Sequence, residues 1–225
     1  MREQLKNMLT NIKSDIIFMA NEVENALHLA LKALEQQDKD LAKTVSKGDK
    51  KINLTEVKIE QNIMSLMALQ QPVAVDLRFM LVALKMNNDL ERIGDHAKSI
   101  AKIAKHLVGE PYIKSATKIP EFGKECKNML HDAVQAFINL DTELAVEIKK
   151  RDKMIDKKFG EIYEDIISEI STDKNNIRQA IELVSVLRNL ERVADLAANF
   201  GEDVVFMKDA KIIRYGVDKK QDIIN

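Results

Sequence analysis

A chain of 225 residues with a formal net charge of −1 carries no global basic field, which argues against a nucleic-acid partner. Seven glycines, three prolines and 4% aromatic residues leave Leu, Ile, Ala, Lys, Glu and Asp to dominate, a composition that suits helices and not sheets. One cysteine excludes an internal disulfide, no apolar run reaches the roughly 18 residues of a membrane span, and the polar start lacks a secretory h-region, so a cytoplasmic protein is expected.

Helical periodicity begins at once. Ile12, Ile16, Met19, Val23, Ala26, Ala30, Ala33 and Leu34 recur at three- and four-residue steps, which predicts a first helix over about 3–36. Asp38 or Asp40 is the expected N-cap of a second helix, which carries Leu41, Val45, Ile52, Ile59, Ile63 and Leu66. It stops near Gln71-Pro72, because the residue before a proline avoids the helical region. The third helix, about 73–108, holds an unbroken seam from Phe79 through Ala83, Met86, Leu90, Ile93, Ala97, Ile100 and Ala104 to Leu107. Gly109-Glu110-Pro111 ends it, and two of the three prolines fall in the linker that follows.

The second half repeats the plan. A helix of about 119–139 precedes Asp141 and a helix with Leu144, Ile148, Ile155, Phe159, Ile162 and Ile166. Asp173 is expected to cap a last long helix carrying Leu183, Val186, Leu190, Val193, Ala197, Phe200, Val204 and Met207. Glu91-Arg92-Ile93-Gly94-Asp95 returns 100 positions later as Glu191-Arg192-Val193-Ala194-Asp195. One helix upstream, Asp49, Ile52 and Asn53 return as Asp152, Ile155 and Asp156 at an offset of 103. The fold class is therefore all-α, a tandem duplication of two three-helix bundles. The first repeat spans 1–110, the second 111–208, and a charged tail expected to fray spans 209–225.

Each repeat carries two acidic steps. The third helix of each supplies Glu-xxx-Asp, and residues four apart share a helix face. The helix before it supplies Asp49 and Asn53 in one half and Asp152 and Asp156 in the other. Neighbouring helices can bring these oxygen-bearing side chains together, which is what a hard cation requires. Asn199, Glu202 and Asp203 continue down the last helix and could extend the second cluster, whereas Ser99 stands at the place matching Asn199. Glu91 and Asp95 lie off the apolar seam, so a bound ion would sit on the outer wall of the bundle. A single Glu-xxx-Asp in that position reads as solvated acid, weakly paired with Arg92 or Arg192. Its recurrence with matching partners favours a site, and a duplicated structural pattern would look the same; spacing alone leaves both readings standing.

Other candidates are weak. His96 follows Asp95 and reads as a hydrogen-bonded surface residue; His28, His106 and His131 lack ligand spacing, and Cys126 reads as buried filler. There is no nucleophile–base pair, phosphate-cradling glycine loop or Walker motif, so no enzyme is expected. A di-metal carboxylate oxidoreductase would aim Glu-xx-His steps into a bundle core, and the chain has none. A metal-free helical scaffold is the other alternative.

SKGDKKIN (46–53), LMALQQPVAVDLRFMLVALK (66–85), LERIGDHAKSIA (90–101), RDKMID (151–156) and LERVADLAANFGEDVVF (190–206) resemble the PhoU family over nearly the whole chain. The resemblance implies six helices in two bundles and surface metal clusters. The cluster residues it carries over are Asp49, Glu91 and Asp95 in one half, and Asp152, Asp156, Glu191 and Asp195 in the other. Asn53 and Asn199 are added here as neutral oxygen donors. It implies divalent or trivalent metal ions, iron foremost, with zinc, manganese or magnesium as alternatives. It also implies a negative regulator of phosphate uptake, peripheral to the membrane. Such a regulator links the ATPase subunit of a phosphate ABC transporter to a phosphate-sensing histidine kinase; a homodimer stays open. Asn53, Ser99 and Leu196 depart from the family pattern, where Asp, Asn or Asp, and His are common. The first site is therefore expected to hold metal less tightly, or fewer ions, than the second.

Overall fold

The structure, a computed structural model, describes residues 2–213. Six helices follow in order: α1 Arg2–Gln36, α2 Lys39–Gln70, α3 Ala74–His106, α4 Ile119–Asn139, α5 Thr142–Thr172 and α6 Ile177–Asp209. Short 3-10 turns at Lys114–Lys118 and Lys174–Asn176 precede α4 and α6. The expected tail lies, beyond residue 213, outside the described residues.

Local chemistry sets the boundaries. The Asp38 carboxylate accepts from the Asp40 and Leu41 amides at 2.8 and 3.0 Å, and Asp141 does the same for Glu143 and Leu144 at 3.1 and 3.0 Å. Both caps satisfy amides that the first helical turn leaves open. Gln71 ends α2 in the left-handed region, φ 44°, directly before Pro72. Asp173 corrects the expectation at α6. Its carboxylate accepts from the Asn175 amide at 3.0 Å and closes the 3-10 turn instead, so α6 starts at Ile177 with no side-chain cap. An Asx turn over Lys174-Asn175-Asn176 competes locally with the helix, which is the usual behaviour of Asp before a polar run.

The seams read from the sequence are the core. Met86, Leu90, Ile93, Ala97 and Ile100 on α3, and Val186, Leu190, Val193, Ala197 and Phe200 on α6, are fully buried. Full burial of one large aliphatic side chain contributes about 1.5–3 kcal/mol. One hydrophobic cluster draws on all six helices, so the repeats share a core across their boundary. α1, α3, α4 and α6 meet in the middle, while α2 packs on α1 and α3, and α5 on α4 and α6. Arg78 reaches the Met207 carbonyl, Lys85 pairs with Asp203, and His96 with Asn189, so α3 and α6 run antiparallel. Phe79 and Phe137 stack at 6.2 Å between α3 and α4. Gly201 permits the close approach of α5 to α6, because a Cβ there would lie 2.7 Å from the Ala145 carbonyl oxygen. The flanking helices thus form an outer groove with the inner pair on each side of the molecule, α2 with α3 and α5 with α6.

Candidate metal centre

In the second repeat the groove gathers acid. α5 presents Asp152 and Asp156 one turn apart, and α6 presents Glu191 and Asp195 one turn apart. Carboxylate oxygens of Asp152, Asp156 and Asp195 lie within 4.8 Å of one another, and no other such group of His, Cys, Asp or Glu is found among the described residues. Asp152 is half-buried, and its Oδ1 is shut from solvent with no hydrogen-bond partner. Burial, followed by the charges of Asp195 and Asp156, pushes its pKa up to about 6. Burial and then Asp195 raise Glu191; burial and then Asp156 raise Asp195. The protein holds these anions at an electrostatic cost that a cation would remove. Asn199 lines a polar cleft with Lys149 and Glu202. Lys149 ion-pairs with the buried Glu202 at 2.6 Å.

The first repeat builds the same frame differently. Asp49 on α2 is buried, and Glu91 on α3 is half-buried, its pKa raised by burial and then by Asp95, Glu56 and Asp49. Asp95 and Asn53 are exposed. Lys98 enters this groove. Its Nζ lies 2.6 Å from Asp49 Oδ2 and 3.8 Å from Asp95 Oδ1. Arg92 pairs with Asp89 at 3.2 Å, and its charge partly offsets the rise at Glu91.

A hard cation fits the second groove: the donors are oxygens, one of them buried and unpartnered, on two close helices. The first groove fits it less well, because an ammonium already neutralises Asp49. Sequence reasoning named the carboxylates and missed Lys98, Glu56 and Lys149. A signal for Lys98 exists: it follows Asp95 by three residues, on the same helix face, where the second repeat has Ala198. His96 is half-buried and bonds Asn189 across the α3–α6 contact at 2.8 Å, and burial holds its pKa below the ordinary value. His106 faces Glu182 at 3.6 Å and His131 faces Glu24 at 3.1 Å. Cys126 is a buried free thiol whose pKa burial pushes up.

Fold and site together define a duplicated all-helical protein whose two outer grooves collect acidic side chains. The PhoU domain matches it twice, over residues 16–104 and 119–204. The phosphate-specific transport system accessory protein PhoU homolog of Aquifex aeolicus strain VF5 is 36% identical over 207 residues, 92% of this chain and 94% of the relative. The accessory protein PhoU of Escherichia coli K12 is 31% identical over 212 residues, 94% and 88% of the two chains. The crystal structure of PhoU from Pseudomonas aeruginosa superposes with a TM-score of 0.89 at 29% identity, covering 92% of this chain and 99% of that one. The chain belongs to the PhoU family. No helix among the described residues is long and apolar enough to cross a membrane.

Proposed function

We propose that this protein is a metal-binding regulatory adaptor of phosphate transport. It binds a divalent or trivalent cation through Asp152, Asp156, Glu191 and Asp195, and its helix faces dock on partner proteins. The observation that carries the metal is the convergence of three carboxylates with an orphaned Asp152 oxygen. The relatives' names, phosphate-specific transport system accessory protein, support the pathway. In this reading the protein acts in the cytoplasm, peripheral to the membrane. It restrains phosphate uptake and phosphate-responsive signalling by contacting the transporter's ATPase subunit and a sensor histidine kinase. It needs no catalytic step.

The test has two arms. Chelated protein is titrated with Fe2+, Mn2+, Zn2+ and Mg2+ while its melting temperature is followed; an ion that binds the native state raises it. A pull-down with the ATPase subunit and the kinase then compares metal-loaded with chelated protein. Saturable stabilisation and metal-dependent capture are expected. No stabilisation by any ion leaves a metal-free scaffold as the better account.

A further inference from the structure

The two grooves differ in where a cation stands. In the second, the carboxylates of Asp152, Asp156 and Asp195 lie within 4.8 Å of one another with Glu191 close enough to feel their charge, and the ammonium of Lys149 pairs with Glu202 at 2.6 Å instead of bonding to them. In the first, the ammonium of Lys98 stands between the helices, 2.6 Å from Asp49 and 3.8 Å from Asp95. The place matching Lys98 on α6 is Ala198, which is buried and has no charge to offer. Asp49 is the anion most in need of a partner. Its side chain is 8% exposed, Lys98 holds one oxygen, and the other, Oδ1, is buried with no hydrogen-bond partner. A buried carboxylate demands a cation, and a covalently attached one is present at every moment without a binding equilibrium.

We propose that Lys98 is a tethered cation that fills the first groove and keeps metal out of it, making the two halves chemically unequal. The inference rests on the reading of the second groove as a metal site only for the comparison between halves; the role of Lys98 stands on its own contacts. Removing the lysine would leave Asp49, Glu91 and Asp95 as oxygen donors beside a buried, unpartnered oxygen; their carboxylates do not gather within 4.8 Å as the second trio does, so they would have to draw together on an ion. Such a set attracts a hard divalent cation. The first groove is thus a latent site, occupied by one side chain that is 44% exposed. Alanine at position 98 suits a helix interior and copies what the second repeat already uses.

The experiment uses the full chain with Asp152→Asn and Asp195→Asn, which silences the second groove. Bound metal after dialysis against Mn2+ is counted by elemental analysis, with and without Lys98→Ala. The background is expected to bind little manganese, and Lys98→Ala to raise the bound amount several-fold. In chelator, Lys98→Ala should lower the melting temperature, because Asp49 loses its cation, and Mn2+ should bring it back. Adding Asp49→Asn should abolish both effects. The proposal is overturned if Lys98→Ala binds no more manganese than its background. It is equally overturned if the background already binds manganese that Asp49→Asn removes. Failure of the unmodified second groove to take manganese would count against the proposed function instead, since the Lys98→Ala arm reads the first groove alone.

Discussion

Replacing Asp152 by Asn should stabilise the metal-free protein at pH 7, an unusual outcome for loss of a charged side chain. Its carboxyl, half-buried and facing Asp195 and Asp156, is held at about 6 against an ordinary 3.8. A raised pKa means that the folded state disfavours the anion. Well below pH 3.8 the group is protonated in both folded and unfolded chains, and no penalty applies. As pH rises through 4 to 6 the unfolded chain ionises more easily than the folded one, and stability is lost; above about 6 the penalty is complete. At about 1.4 kcal/mol per pH unit the gap amounts to about 3 kcal/mol, and solvent screening of a half-exposed group cuts this to roughly 1–2 kcal/mol. For a chain of this size each kcal/mol moves the melting temperature by about 2–4 °C, so Asp152→Asn should raise it by roughly 3–6 °C. The assay is thermal unfolding in chelator at pH 4.5, 6 and 7.5, then again with Mn2+. The gain should shrink towards pH 4.5, and Mn2+ should stabilise the wild-type chain more than the variant. A variant that melts lower than wild type at pH 7.5, or a gain that ignores pH, would refute the electrostatic reasoning.

Other consequences are as direct. Glu191→Ala with Asp195→Ala should lose more bound metal, by elemental analysis, than Glu91→Ala with Asp95→Ala, because Lys98 already occupies the first groove; equal losses would contradict this. Gly201→Ala should destabilise the fold by about 1–3 kcal/mol in a denaturant titration, since its new methyl meets backbone, which cannot swing aside. The Cys126 thiol should resist an aromatic disulfide reagent in the native protein and react promptly once unfolded. Rapid labelling under native conditions would show that the α4–α6 core opens.

Much of this was legible in the residues. Asp38 and Asp141 start α2 and α5 as local cap chemistry predicts, and Pro72 ends α2. The seams from Phe79 to Leu107 and from Leu183 to Met207 become the buried faces of α3 and α6 because a heptad pattern has no other way to bury itself. Asp173 defeated the same reasoning, since an Asx turn and an N-cap draw on identical residues. The doubled acidic steps marked the grooves, yet spacing within one helix says nothing of the distance to the next. That distance is set by packing, and Gly94, whose added Cβ would lie 3.2 Å from Ile52, shows how close α2 comes to α3. For this reason the convergence of Asp152 with Asp195 could be expected and not measured, and Asn53, exposed on α2, counted for more in the sequence than its placement supports. Lys98 escaped notice because a lysine three residues from an aspartate is ordinarily a solvated partner; its interhelical bond to the buried Asp49 appears only in three dimensions.

The most direct measurement is an anomalous difference map from crystals of the full chain grown with Mn2+, collected where manganese scatters anomalously. A peak enclosed by Asp152, Asp156 and Asp195, with none at the Lys98 ammonium, is the predicted result. Density for manganese only elsewhere on the molecule, with the α5–α6 carboxylates bare at saturating ion, would contradict the account.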